Sequence, residues 1–199
     1  MAGVIFALLF AAVIVLIRLR MPEGAQNSAS WVSTNHGGIV TAAVLMPFAG
    51  ISFLWFIGVV RDGFGRYEDR FFASVFLGSG LLFLAMMFVA TATAAALVAM
   101  NSGVVDASAH LEVVSFGKMV VLSTTKTYAL RMAAVFMMSA ATVWLRTGLM
   151  PKWLDLLTYL VALAVLVASD LSMWVTMAFP AWVLVVSGLF LVRHNPTNP

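Results

Sequence analysis

The chain has 199 residues, of which 63% are hydrophobic and only 10% charged, and its mean hydropathy is +1.04. An ordinary soluble domain carries roughly 25% charged residues, so 11 Lys and Arg with 8 Asp and Glu cannot coat a water-soluble fold of this length, whereas lipid removes the need for that coat. The net charge of +3 comes from basic residues scattered between apolar runs, which argues against nucleic acid as a partner, and the absence of cysteine excludes disulfides, thiolate metal sites, iron–sulfur clusters and cysteine nucleophiles.

A helix crossing ~30 Å of hydrocarbon needs about 20 apolar residues. Six segments approach or meet that length, at about 3–19, 38–60, 71–99, 127–146, 153–169 and 171–192. The fold expected is all-α: a polytopic transmembrane bundle of about six helices, forming a single integral membrane domain over 1–199.

The first run, Val4 to Ile17, is followed by Arg18 and Arg20 instead of preceded by a basic stretch, so it reads as a retained helix and not as a cleaved signal. Residues 18–36 form a polar loop. The second helix holds Pro47, read as a kink. Residues 61–70 (RDGFGRYEDR) form a tight turn in which Arg61, Asp62, Arg66, Glu68, Asp69 and Arg70 alternate in sign. Such exposed pairs contribute ~0–1 kcal/mol each, and the same turn is a candidate docking site for a partner. In the third helix, Ser74, Gly78 and Gly80 make a small-residue face suited to close packing, and Ser79 between the two glycines is read as packing, not as a nucleophile. Residues 101–118 (NSGVVDASAHLEVVSFGK) read as a loop.

The fourth helix begins unusually. Thr124, Thr127, Tyr128 and Arg131 recur at i, i+3, i+4 and i+7, so α-helical geometry places them on one face. Lys126 lies 20 residues, or ~30 Å, before Arg146, which sets it at the opposite interface. Arg131 then lies about two turns inside, within snorkelling reach of the boundary. The structural reading makes Lys126 an anchor and Arg131 a snorkelling charge. The functional reading makes the face a polar pocket or lipid head-group site, with Arg131 paired to Glu112, Asp106 or Asp170. Further on, Gly148 and Pro151 mark a stop and a restart, Asp170 can cap the last helix, Pro180 interrupts it, and the tail HNPTNP is polar.

With six passes, one side carries Arg61, Arg66, Arg70, Arg146, Lys152 and Arg193, and the other Arg18, Arg20, Lys118 and Lys126. The excess places both termini in the cytoplasm of a multi-pass cell-membrane protein. Tyr67, Trp144 and Trp153 would lie at the inner interface and Trp31 and Trp174 at the outer one.

Chemistry is scarce. All Asp and Glu fall in loops or at helix ends, with Asp155 and Asp170 bracketing the fifth helix, so no mid-membrane carboxylate points to proton coupling. His36, His110 and His194 lie outside the apolar runs, which argues against haem ligation, and no metal or cofactor is expected. The motifs G-x-S-x-G, H-E-x-x-H and the P-loop are absent, so the chain leans away from being an enzyme.

Residues 47–88 (PFAGISFLWFIGVVRDGFGRYEDRFFASVFLGSGLLFLAMMF), residues 128–139 (YALRMAAVFMMS) and the following LRTGLMPKWL resemble small, uncharacterised multi-pass membrane proteins of actinobacteria. The resemblance implies that the charged hairpin and the Tyr128/Arg131 region belong to a recurring pattern, and it implies no activity. The reading is a non-catalytic accessory or scaffold subunit in contact with membrane lipid and with other subunits or its own copies. The alternative is a small transporter or channel for a lipid-like or small apolar substrate.

Overall fold

The computed structural model describes residues 1–21, 36–63, 70–100, 107–168 and 175–193. They form α1 (Ala2–Arg20), α2 (His36–Asp62), α3 (Arg70–Met100), α4 (Ala107–Leu122), a π-helical segment (Ser123–Ala129), α5 (Leu130–Thr147), α6 (Lys152–Ala168) and α7 (Val175–Arg193). The protein is an all-α, polytopic transmembrane bundle. Among the described residues, five helical stretches are long and apolar enough to cross a membrane: Ala2–Leu19, Gly37–Asp62, Phe71–Met100, Ser108–Thr147 and Val175–Val192. The sixth, α6, has 17 residues and a length of ~25 Å. Its Leu156, Leu160, Leu163 and Val167 are all exposed, an apolar stripe that only lipid would solvate.

The helices neighbour one another in a closed circuit, α1 on α2, α2 on α3, α3 on α5, α5 on α6, α6 on α7 and α7 on α1. Contacts fix the directions. Gly3 of α1 faces Phe56 late in α2 and Ser187 late in α7, while Arg146 at the end of α5 sits over the Phe72 ring at the start of α3, 4.6 Å from its centroid. One end of the bundle therefore gathers Met1, Asp62, Arg146 and Lys152, and is called here the Arg146 end; the other gathers Arg18 with the start of α2.

The centre of the circuit is filled with aromatic rings. The Phe179 ring lies 4.7 to 6.3 Å from those of Phe6, Phe10, Phe53, Phe83, Phe136 and Trp182, and Phe76 stacks on Phe136 at 4.2 Å. All but Trp182 of these are fully buried. Gly80 permits the approach, because a Cβ there would come within 2.9 Å of Ile57 and 3.1 Å of Phe136.

Two expectations change. Residues 107–118, read as loop, are helix, and the fourth spanning helix starts at Ala107 instead of 127. Ser108–Thr147 is an unbroken 40-residue helical run, ~60 Å long and about twice what a bilayer needs. The reason is tertiary. Polar residues dilute the apolar signal of 107–118, yet Val114, Gly117 and Val121 share one face. Val114 and Val121 are buried with Ala90, Ala94, Leu97 and Val98 of α3, and with Met21 and Ile39, in a second apolar cluster separate from the aromatic one. Gly117 closes the contact, since a Cβ there would meet Leu97 at 2.6 Å.

The stop and restart at 148–151 form as expected. Gly148 takes the left-handed conformation (φ 65°) and donates its N–H to the Trp144 carbonyl at 2.8 Å, ending α5. The Pro151 carbonyl then accepts the Leu154 N–H at 2.9 Å, opening α6.

Candidate functional sites

The candidate stripe on the fourth helix falls in and just after the π segment. Four hydroxyl residues among five explain the local distortion, because Ser and Thr compete for backbone carbonyls. Thr124 Oγ1 donates to the Val120 carbonyl at 2.6 Å, and the Leu130 N–H reaches back five residues to the Thr125 carbonyl, the spacing that defines a π turn. The wider turn changes the register. Thr124 is buried, Thr127 and Arg131 are half-buried and Tyr128 is exposed, so the four residues do not open on one pocket. Arg131 Nη1 donates to the Thr127 carbonyl at 3.2 Å; the side chain folds back one turn toward the N-terminal end of its helix, as a snorkelling group does.

The carboxylates considered for Arg131 separate differently. Glu112 is exposed on α4, on the same unbroken helix and 19 residues away, or ~28 Å. That span exceeds any direct ion pair. Asp106 and Asp170 lie outside the described residues, as do Arg66, Glu68 and Asp69 of the charged turn. Arg61 is exposed at the end of α2, and Asp62 lines a cleft there. Arg70 begins α3. Tyr67, Trp31, Trp174 and His194 also fall outside the described residues.

That cleft, about 450 Å³, opens at the Arg146 end between α1, α2 and α7, and Phe56, Val59, Asp62, Ser187, Phe190 and Leu191 are among its lining. Neither Tyr128 nor Arg131 contributes to it.

A polar cluster that sequence reasoning passed over sits between α5, α6 and α7. Trp182 Nε1 donates to Thr158 Oγ1 at 2.9 Å, Thr142 Oγ1 and Tyr159 OH are 2.6 Å apart, and Trp144 stacks on Trp182 with centroids 6.0 Å apart. Asp155 is 1% exposed, and among the described residues neither its carboxylate oxygens nor the Trp144 Nε1 has a hydrogen-bond partner. Asp155 belongs to the buried face of α6 with Leu154, Thr158, Ala162 and Val165. The spacing of those positions is the signal that would have placed it inside; its position in the first turn suggested a helix end in contact with water instead.

These features define a lipid-embedded helical bundle with a packed aromatic centre, a half-open cleft at one end and a helical projection at the other. The chain matches no family model, no curated protein and no solved structure.

Proposed function

We propose that this protein is a non-catalytic accessory or scaffold subunit of a membrane assembly, and that the α3–α4 projection is its contact arm. The carrying observation is the exposure of Phe116 (70%) and Met119 (66%) on α4. Phe116 lies 30 residues before Arg146, ~45 Å along the helix and so ~15 Å beyond the span a bilayer covers. Large apolar side chains exposed outside hydrocarbon mark interaction surfaces. The aromatic filling of the bundle centre supports the same reading over a transporter or channel, because a substrate path there would have to displace the Phe179 cluster.

The balance of Lys and Arg supports a cell-membrane protein with the Arg146 end, and both termini, in the cytoplasm; the arm would then face outward. The test is extraction in mild detergent with an affinity tag. A stoichiometric membrane partner is expected, one that crosslinks to a photoreactive residue at position 116 and is lost with Phe116→Ser plus Met119→Ser. A clean monomer or homo-oligomer from the native membrane overturns the reading.

A further inference from the structure

α5 is set back from the lipid-facing surface of the bundle. Ala133, Met137, Ala140 and Trp144 form its fully buried line. The opposite line runs through Met132, Val135, Ser139, Thr142 and Arg146, at spacings of three and four. That line faces outward, yet Ser139 is only 5% exposed and Met132, Val135 and Thr142 are half-buried. The flanking helices are α3 and α6. Leu84 and Phe88 of α3 face Gly50 of α2, so Leu82, about 160° around the helix from Leu84, lies on the α5 side; it is 51% exposed. On α6, Tyr159 OH meets Thr142 Oγ1 at 2.6 Å. Lys152 and Leu163, seven residues before and four after Tyr159, share its face, and Leu163 is 54% exposed. α3 and α6 are therefore the walls of a furrow whose floor is α5. The floor is apolar, because its hydroxyls are spent: Ser139 donates to the Val135 carbonyl at 2.8 Å, and Thr142 to that of Met138 at 2.8 Å.

The furrow ends in positive charge. Arg146 and Lys152 are exposed at its mouth, and Arg70 is the first residue of α3. Among the described residues, the carboxylates of this end lie out of reach. Asp62 lines the cleft between α1, α2 and α7. Asp155 is one turn from Lys152, but its oxygens are enclosed on the buried face of α6. α3 and α6 both begin at the mouth and turn their positive poles toward it. α5 ends there, but its Val143 and Trp144 carbonyls are occupied by Thr147 Oγ1 and the Gly148 N–H, which blunts its negative pole. From Arg146 to Val135 is 11 residues, ~16 Å along the floor. That is about half of the ~30 Å hydrocarbon core, the depth of one leaflet.

We propose that this furrow seats one anionic phospholipid, its phosphate between Arg146 and Lys152 and an acyl chain along α5 between Leu82 and Leu163. Cations at the end of an intramembrane groove are the arrangement that holds acidic head groups. The site lies in the bilayer block and not on the α4 arm, so its failure would leave the scaffold reading in place.

The experiment is native mass spectrometry of the full chain released from nanodiscs containing equal amounts of phosphatidylglycerol and phosphatidylethanolamine with matched acyl chains. One retained phosphatidylglycerol is expected, favoured over phosphatidylethanolamine by about threefold to tenfold, the scale of one or two basic side chains at a membrane surface. Arg146→Gln with Lys152→Gln should bring that preference to parity while one lipid is still retained. Leu82→Trp should fill the furrow and abolish retention with both cations in place; the position is exposed, so the larger ring leaves the core undisturbed. Leu163→Trp, on the opposite wall, serves if Leu82→Trp fails to give a monodisperse helical product. Glycerophosphoglycerol, the same head group without chains, should not displace the lipid even in large excess. A photoreactive residue at position 163 should capture lipid in the native membrane. Equal retention of both lipids by the unaltered chain, no retained lipid, or an undiminished preference in the double variant each overturns the proposal. So does a lipid still held by the folded tryptophan variant, displacement by the free head group, or capture of a protein chain at position 163.

Discussion

The two apolar clusters of this protein are built from different side chains, and the difference follows their solvents. The cluster inside the bilayer block is aromatic, with seven fully buried Phe side chains among Phe6, Phe10, Phe53, Phe76, Phe83, Phe136 and Phe179. The second cluster, where α3 and α4 meet, joins Ala90, Ala94, Leu97, Val98, Val114 and Val121 to Met21 and Ile39 and is closed by Gly117. In hydrocarbon, burying an apolar side chain gains nothing from leaving water, so helices must associate through close van der Waals contact. Broad rings packed edge to face supply that contact in quantity. In the arm, two helices lie close together over small residues, and the hydrophobic effect acts again wherever water reaches the surface.

Phe179→Ala is the sharpest test of the aromatic half and carries the largest expected effect. It removes the ring that contacts six others. In a water-soluble core such a truncation costs about 3–5 kcal/mol, of which part is transfer from water. Lipid removes the transfer part and leaves the cavity part, so the loss should be clear but smaller than in water. Thermal unfolding in detergent or nanodiscs should show a lowered midpoint across the whole bundle, and an unchanged midpoint would mean that the centre does not hold the helices together.

Gly117→Val addresses the arm alone. Its added Cβ would press on Leu97 at 2.6 to 2.9 Å, and overpacking of this kind costs roughly 1–3 kcal/mol. Hydrogen exchange should rise in 107–122 and at the end of α3, while the amides around Phe53 and Phe136 stay protected. Loss of protection throughout the bundle would show that the two clusters fold as one unit.

Asp155 brings a carboxylate into the buried face of α6. A buried carboxylate without a hydrogen-bond partner opposes folding when charged, and replacing such a group with a neutral one is often stabilising. Asp155→Asn is therefore expected to leave the thermal midpoint unchanged or raise it by a few degrees. A marked fall would show that the carboxylate has a favourable partner in the membrane-bound protein.

How much of this was legible in the sequence varies with the kind of signal. The spanning helices were, because runs such as 71–99 have enough apolar residues to demand lipid whatever they pack against. The stop at Gly148 was too, since a left-handed C-cap is a local property of glycine. The helix over 107–118 was not, because its evidence lies in α3: Val114 and Gly117 look incidental until Leu97 is opposite them. Asp155 was missed for a related reason, as a charged residue in a first turn is ordinarily wet. The stripe at Thr124, Thr127, Tyr128 and Arg131 stands out in the sequence, but α-helical spacing does not describe it. The hydroxyl run that drew notice is also what widens the turn and divides those residues between a buried and an exposed side.

The smallest effect expected concerns that widened turn. The Thr124 hydroxyl holds the Val120 carbonyl at 2.6 Å, and Thr124→Val keeps the shape of the side chain while removing the hydroxyl. If back-bonding sustains the π turn, the variant should relax toward α-helical hydrogen bonding, and the change in stability should stay within about 0.5–1.5 kcal/mol, the net worth of one hydrogen bond. Each residue N-terminal to the segment would then turn relative to α5. The whole of α4 would rotate against α3, lifting Gly117 from Leu97 while the aromatic cluster stayed in place. A crosslink between cysteines introduced at Ala94 and Val121, both buried in the arm cluster, reads that rotation directly: its yield should fall in Thr124→Val. An unchanged yield would mean that the arm's packing on α3 imposes the π turn, and that the hydroxyls merely accommodate it.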